Sequence, residues 1–315
     1  MKKLLFLLFM LILSISASSK NFKYQPKTKE ELQELIENES VYLGDIDTSA
    51  ITDMSYLFIR EKNKIDACGT TYEYITTKRT NFLGIGKWDT SNVTDMEGLF
   101  YKMKDFNEDI SAWNTSKVEN MSSMFEDADS FNQSLNNWDV SKVKTMKNMF
   151  RGAISFNQPL NKWNVGEVMD MEEMFEAAYK FNQNINSWNV SKVKNMSYMF
   201  NSAKEFNQPL NNWNVSSVEN MTCMFRYTKK FNQALNSWNV SKVKYMEEMF
   251  FEAVSFNQSL NRWNISNVKD MARMFCDAKK FNQDLSMWKV QGATDTVNMF
   301  LGSPLENRKP KWEGQ

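Results

Sequence analysis

The tryptophans of this chain recur at a constant interval of 25 residues, and this period restricts the fold more than any other feature. The regular ones are Trp88, Trp113, Trp138, Trp163, Trp188, Trp213, Trp238, Trp263 and Trp288. A phenylalanine column keeps the same period from Phe100 to Phe300. Repeats of 20–50 residues are typical of stacked supersecondary units. The sequence therefore predicts a solenoid of about ten coils over residues 46–301.

Each repeat carries two apolar patterns. The first has the i, i+3, i+4, i+7 spacing of one helix face, as in Met171, Met174, Phe175 and Ala178. Asp170 precedes it at an N-cap position. The second places Ile185, Trp188 and Val190 in leucine-rich-repeat spacing, with the alternation of a short strand. The predicted fold class is α/β, a leucine-rich-repeat-like solenoid in which each coil is a short parallel β-strand plus a short helix.

The methionine and tryptophan columns have a structural and a functional interpretation. Clustered methionines can bind copper(I), and aligned tryptophans can hold sugars. Both columns, however, fall at the inward positions of every repeat. We therefore interpret them as core, with methionine filling gaps between coils.

Segments outside the regular repeats form the ends and one insertion. Residues 1–18 combine a basic start, a short apolar run and small residues, which predicts a cleaved signal peptide and export. Residues 19–45 and 302–315 are interpreted as N-terminal and C-terminal caps. The insertion at about 61–81 contains Tyr72 and Tyr74 and is either a binding loop or a spacer.

Composition argues against several kinds of function. Lysine plus arginine and aspartate plus glutamate number 38 each, so no overall field favours nucleic acid. The chain contains no histidine, which removes the usual nucleophile–base pairs and histidine zinc sites. We expect no enzymatic activity, no cofactor and no metal. The three cysteines are an odd number, and we expect all of them to be free thiols.

Two columns flank each tryptophan and are predicted to point outward. A variable column consists of Ala112, Asn137, Lys162, Ser187, Asn212, Ser237, Arg262 and Met287. An amide column consists of Asp47, Asp89, Asn114, Asp139, Asn164, Asn189, Asn214, Asn239, Asn264 and Lys289. The candidate partner-binding residues are Lys162, Arg262, Asn137, Asn212, Asn164, Asn189, Asn214, Asn239, Tyr72 and Tyr74. For the amide column, a structural role and a ligand contact both remain open.

Two other columns have simpler interpretations. The asparagine after the second phenylalanine of each repeat, as in Asn182 and Asn207, is predicted to bond backbone groups of its own or the next coil. A partial lysine column at Lys117, Lys142, Lys192 and Lys242 is interpreted as a solvated face.

The repeat sequence resembles that of one bacterial family. Residues 206–221, F-N-Q-P-L-N-N-W-N-V-S-S-V-E-N-M, and the M-x-x-M-F-x-x-A stretches resemble the 25-residue repeats of BspA-type leucine-rich repeat surface proteins. The resemblance implies export, a solenoid and, for some members, adhesion to host matrix or cells. Since repeat scaffolds present a wide concave face to partners, we expect a protein or glycan ligand to bind there. The alternative is a structural protein of the envelope or matrix that associates through its own coils.

Overall fold

Among the residues that the structure describes, the regular helices and strands all lie between Lys29 and Lys87. The computed structural model describes residues 22–66, 69–292 and 294–312, so the predicted signal peptide at 1–18 lies outside the described residues. The regular elements are α1 (Lys29–Glu37), β1 (Ile59–Asp66), β2 (Gly69–Thr76) and two 3₁₀ turns, Leu43–Asp45 and Ile85–Lys87. Thr28 caps α1 by accepting a hydrogen bond from the Glu31 N–H, as its capping-box spacing predicts.

Successive repeats lie side by side and run in the same direction. Parallel bridges join residues one repeat apart: Asp95 with Asn120, Asn120 with Thr145, Thr145 with Asp170, Asp170 with Asn195, and so on to Asp270 with Asp295. The first bridge, Asp53 with Asp95, spans the insertion. The backbone therefore winds in coils that keep one register from Asp53 to Asp295.

The segment at 170–178 forms consecutive turns, and the helix predicted there is wrong. Within the coil, the Met174 N–H donates to Met171 O and the Ala178 N–H to Phe175 O, which are three-residue turn bonds. The alternate donors point to the next coil: the N–H groups of Met171, Glu173, Phe175 and Ala177 donate to the carbonyls of Asn195, Ser197, Met199 and Asn201 at 2.8–3.0 Å. We call this segment of each coil the turn ladder.

Two residues per turn ladder adopt left-handed backbone conformations. In this repeat they are Glu173 and Ala177, with φ of 56° and 54°. Such values cost roughly 1–2 kcal/mol for a residue with a side chain, and the four bonds to the neighbouring coil offset that cost. The helical spacing led to a wrong prediction of a helix because consecutive turns bury Met171 and Phe175 as well. An apolar i, i+3, i+4, i+7 pattern therefore fits both conformations.

The short strand predicted at Trp188–Val190 is also absent, since residues 188–190 take part in no bridge. Instead, the Trp188 indole N–H donates to Leu160 O of the preceding coil at 2.9 Å. Every tryptophan from Trp113 to Trp288 makes the equivalent bond to the carbonyl 28 residues earlier. Indole donors thus link coils where the alternation had predicted a strand.

The core consists of stacked aromatic columns, and the prediction of buried tryptophans is confirmed. The regular tryptophans are 2–4% exposed. Neighbouring indoles are nearly parallel, with Trp188 and Trp213 centroids 6.4 Å apart. Phe175 packs against Phe181 at 3.9 Å and against Phe200 at 5.7 Å. Burying each large ring contributes roughly 2–3 kcal/mol, so this core is the main stabilising term of the stack.

The predicted asparagine ladder is confirmed in the turn after each turn ladder. The Asn182 N–H donates to Asn157 Oδ1 at 3.0 Å, and the Asn207 N–H donates to Asn182 Oδ1 at 3.0 Å. The same bond recurs from Asn107 to Asn282. Each asparagine side chain thus accepts a hydrogen bond from a backbone N–H group that would otherwise have no partner.

The insertion forms an antiparallel hairpin of β1 and β2, with Ile59 opposite Thr76. At the same end of the stack, α1 covers the first coil: Lys29 Nζ donates to Asp53 and Ser55, and Gln33 Nε2 donates to Leu57 O. This helix closes the first coil as the predicted N-terminal cap would.

Candidate binding surface

All eight residues of the variable column are exposed, from Ala112 to Met287. Each precedes a buried tryptophan, so the fold excludes its side chain from the core. Met287 is 73% exposed, although it is apolar. Alanine, asparagine, lysine, serine, arginine and methionine all occur at these positions, because the side chain there lies outside the core.

The amide column has a local structural role and is exposed as well. Asn189 Oδ1 accepts a hydrogen bond from the Ser191 N–H at 3.2 Å, an Asx turn that redirects the chain. Asn164, Asn214 and Asn239 make the same bond to the residue two positions on. The Nδ2 group of each of these four asparagines has no hydrogen-bond partner among the described residues. The amide oxygen is therefore structural, and the amide donor is available to a ligand.

The predicted site residues of the variable column are only partly brought together. Lys162 Nζ donates to Asn137 Oδ1 at 3.1 Å, so these two residues form one polar group on adjacent coils. The Asn212 N–H and the Arg262 N–H donate to Asn186 Oδ1 and Asn236 Oδ1. Arg262 lies four coils from Lys162, so the stack does not bring these two cations together.

The hairpin places Tyr72 opposite Asn63 and Tyr74 opposite Glu61 along β2, while the placement of these side chains lies outside what the structure describes. A cavity of about 590 Å³ lies at the base of the hairpin, with Phe82 and Phe106 in its wall and Lys78, Lys102 and Lys104 around it. This cavity could hold a small ligand between the hairpin and the first coils.

Arg79 lies at the end of the insertion, but its side chain is buried and is not available for partner contact. It is 5% exposed and donates to the carbonyls of Ile36, Asn38 and Asn81. Burial lowers the pKa of its guanidinium, against the influence of Glu39. Arg79 fixes the hairpin to the end of α1 and is unavailable to a ligand.

A strip of lysines runs along the corner where each coil enters its turn ladder. It comprises two columns two residues apart, and we call it the lysine edge. Its charged residues are Lys117, Glu119, Lys142, Lys144, Glu167, Lys192, Lys194, Glu219, Lys242, Lys244 and Lys269. Eight lysines against three glutamates give this strip a net charge of +5 in a chain whose total charge is zero.

Ion pairs between adjacent coils use part of this charge. Lys144 pairs with Glu119 at 2.5 Å, Lys192 with Glu167 at 2.7 Å and Lys244 with Glu219 at 2.6 Å. The hydrogen bond from Lys144 lowers the pKa of Glu119. Such exposed pairs contribute little to stability.

The outward side of the turn ladder carries the opposite charge. Arg151 lies among Glu126, Glu173 and Glu176 at 2.8, 2.9 and 3.0 Å. Burial and the neighbouring Glu176 together raise the pKa of Glu173 to about 7, although Arg151 opposes the change. One guanidinium cannot neutralise three carboxylates, so their mutual repulsion is only partly offset. Glu173 is a candidate proton acceptor, but Arg151 holds its carboxylate in an ion pair.

The cysteine prediction is confirmed for the two cysteines within the described residues. Cys223 and Cys276 are free and buried, and Cys68 lies outside the described ranges. Burial raises the pKa of the Cys223 thiol to about 12, which disfavours the reactive thiolate.

Sequence reasoning missed two features of these surfaces. It noted one lysine column but not the second, at Lys144, Lys194, Lys244 and Lys269, which doubles the strip. It also missed the carboxylates that surround Arg151, since each of them lies 22 to 25 residues from Arg151 in sequence. Aligning the repeats and comparing each outward column would have revealed both groupings.

Neither a candidate metal cluster nor a membrane-spanning helix occurs within the described ranges. No group of three or more cysteine, aspartate or glutamate residues is arranged to hold a metal ion there. None of the helices in those ranges is both long and apolar enough to cross a membrane.

Comparison with known proteins points to one family. Its model matches in three overlapping stretches, residues 70–178, 158–244 and 210–312, which follow the repeats of the chain. Searches of curated proteins and of solved structures found no match. Because the matched stretches cover more than half of the chain, this repeat protein belongs to the family described as Mycoplasma protein of unknown function, DUF285.

Proposed function

We propose that this chain is an exported binding protein, an adhesin or host-interaction module that carries its ligand on the outward columns beside the tryptophans. The observation that supports this most is the division of each repeat. Its inward positions are nearly constant and buried, whereas the variable column is exposed in every coil. Variation confined to exposed positions suits a scaffold whose specificity is set on its surface.

The polar groups of the surface are suited to hydrogen bonding with a protein or a glycan. The amide donors of Asn164, Asn189, Asn214 and Asn239 form a row with one donor per coil. Lys162 and Asn137 add a cation and an amide beside that row. A partner lying across several coils would meet the same donor repeatedly, and the variable column would distinguish one partner from another.

The proposal includes the fold class and the cellular location. We infer that the stacked coils form a leucine-rich-repeat-like solenoid related to the BspA type, with a turn ladder where the sequence had predicted a helix. Export rests on the signal-peptide pattern of residues 1–18. The proposed ligand is a protein or glycan outside the cell, such as host matrix.

A binding screen tests this function directly. Residues 19–315 would be tested against extracellular-matrix proteins and glycans, and each positive ligand against the double variant Lys162→Glu, Arg262→Glu. The matched control is Lys180→Glu, Lys280→Glu, which reverses two exposed lysines equally far apart on another corner. We expect loss of binding in the first variant only. Failure of the wild-type chain to bind any ligand would contradict the proposal.

The alternative is an envelope or matrix protein that associates end to end, and one observation favours it. The N–H groups of Thr296, Asn298 and Phe300 in the last turn ladder have no partner among the described residues. Such a row of donors can pair with another chain. Concentration-dependent association in sedimentation experiments, without affinity for host ligands, would support this alternative.

A further inference from the structure

The lysine edge carries a net positive charge, and acidic residues elsewhere in the chain balance that charge. Its eight lysines and three glutamates occupy one strip, whereas the chain as a whole is neutral. Like charges on neighbouring coils repel one another, and the fold brings them about 4.8 Å apart per coil. Nothing in the core requires lysine here, because the positions are exposed or half-buried at the surface.

Four lysines of the edge keep their charge available. Lys142, Lys194, Lys242 and Lys269 form no ion pair with any described carboxylate. Lys117 donates only to the uncharged Asn92 amide at 2.7 Å. Five cations thus remain after the intercoil pairs are counted, and they extend over seven coils.

The concentration is greatest at one recess. A cavity of about 330 Å³ is lined by Glu219, Lys242, Lys244, Asn267 and Lys269. Three lysines converge there, and Lys244 is paired with the single glutamate. The recess is large enough for one anionic group with its sugar-sized carrier.

The shape of the strip selects among anionic partners. From Glu119 to Lys269 it spans six coil steps, about 29 Å, while its width is two side chains. We propose that the lysine edge binds a linear anionic polysaccharide, sulfated or carboxylated, which lies along the stacking direction of the coils. This inference rests on the proposed binding function and specifies its ligand class.

Neighbouring side chains favour a polysaccharide over a single-stranded nucleic acid. The free Nδ2 donors of Asn164, Asn189, Asn214 and Asn239 run beside the edge and can bond sugar hydroxyls and acidic oxygens. Single-stranded nucleic acids instead rely on stacking against exposed aromatic side chains. Beside the edge between residues 117 and 269, Tyr245 is the one exposed aromatic side chain among the described residues.

The test uses the full chain and a size-defined heparin oligosaccharide, with a desulfated oligosaccharide of equal length and a single-stranded oligonucleotide as comparisons. The variant is Lys194→Gln, Lys242→Gln, Lys269→Gln. Its matched control, Lys180→Gln, Lys229→Gln, Lys280→Gln, removes three exposed lysines from another corner. We expect the first variant to lose about tenfold or more in affinity and to show a weaker salt dependence, while the control stays within about twofold.

Several results would overturn the inference. They are absence of wild-type binding to the sulfated oligosaccharide, equal binding of the desulfated one, tighter binding of the oligonucleotide, and equal losses in both triple variants. Failure here is distinguishable from failure of the proposed function. A chain that binds a matrix ligand through Lys162 and Arg262 but ignores sulfated sugars keeps the function and loses this inference.

Discussion

The indole N–H of Trp312 donates to the carbonyl of Leu285 at 3.1 Å. This repeats the bond from Trp288 to Leu260 one coil earlier, at 2.9 Å. Trp312 also packs against Phe300, with ring centroids 6.1 Å apart. A residue outside the regular repeats thus continues the tryptophan column and covers the last coil.

Trp312→Ala should therefore loosen the C-terminal end of the stack without unfolding it. Terminal coils without a cover expose core surface to water. We expect amide exchange in residues 295–301 to rise about tenfold or more, while exchange in residues 145–153 stays unchanged. Unchanged protection at both places would show that Trp312 is not a cap.

Replacing an interior tryptophan should lower the free energy of unfolding far more than replacing Trp312 does. Trp188→Ala removes a ring that is 2% exposed, and the cavity should cost roughly 3–5 kcal/mol. Trp188→Phe keeps an aromatic ring but leaves Leu160 O without its indole donor, so its cost should be smaller. Denaturant unfolding of the three proteins gives the order wild type, Trp188→Phe, Trp188→Ala. Loss of sugar binding with unchanged unfolding would contradict the buried role.

The turn-ladder conformation predicts that replacing Gly152 by alanine destabilises the chain, whereas a helix at this place would predict the opposite. Gly152 has φ of 68°, and an added Cβ would meet Asp127 Oδ1. Gly152→Ala should therefore destabilise the chain by roughly 1–2 kcal/mol. In a helix the same change would stabilise it by about 1 kcal/mol.

Gly292→Ala is the matched control for that substitution. Nothing lies within 4 Å of a Cβ built at Gly292, so this change should hardly affect the unfolding midpoint. A stabilised Gly152→Ala protein would contradict the left-handed turn.

The repeat pattern of the sequence predicts which residues are buried, but it does not predict the path of the backbone. Burial was predictable because a column that repeats in every coil must meet itself in the neighbouring coil, as Trp188 meets Trp213. The backbone path was not, because both helix and consecutive turns bury Met171 and Phe175. A signal for consecutive turns was present in the spacing of residues that tolerate a left-handed backbone. Asn148 and Gly152 lie four positions apart, and both have a positive φ.

The outward columns were equally predictable, whereas their mutual contacts were not. Exposure of Lys162 and Asn189 follows directly from their alternation with buried neighbours. The bond from Lys162 to Asn137 depends on the rotation of one coil against the next. The role of Arg79 depends on the carbonyls of Ile36, Asn38 and Val41, about 40 residues earlier in the chain, and no local pattern specifies them.

The last prediction concerns pH. The pKa of Glu173 is raised from 4.5 in the unfolded chain to about 7 in the folded one, because burial beside Glu176 disfavours its charged form. A raised carboxyl pKa means that the folded state binds the proton more tightly than the unfolded state. The contribution to stability is thus fully present below about pH 4.5 and is lost as the pH rises through about 7. Since the chain has no histidine, few other side chains titrate near neutral pH. Unfolding midpoints measured from pH 5 to pH 8 should fall in the wild type and fall less in Glu173→Gln, which stays neutral throughout. Equal slopes in the two proteins would show that Glu173 titrates without coupling to the fold.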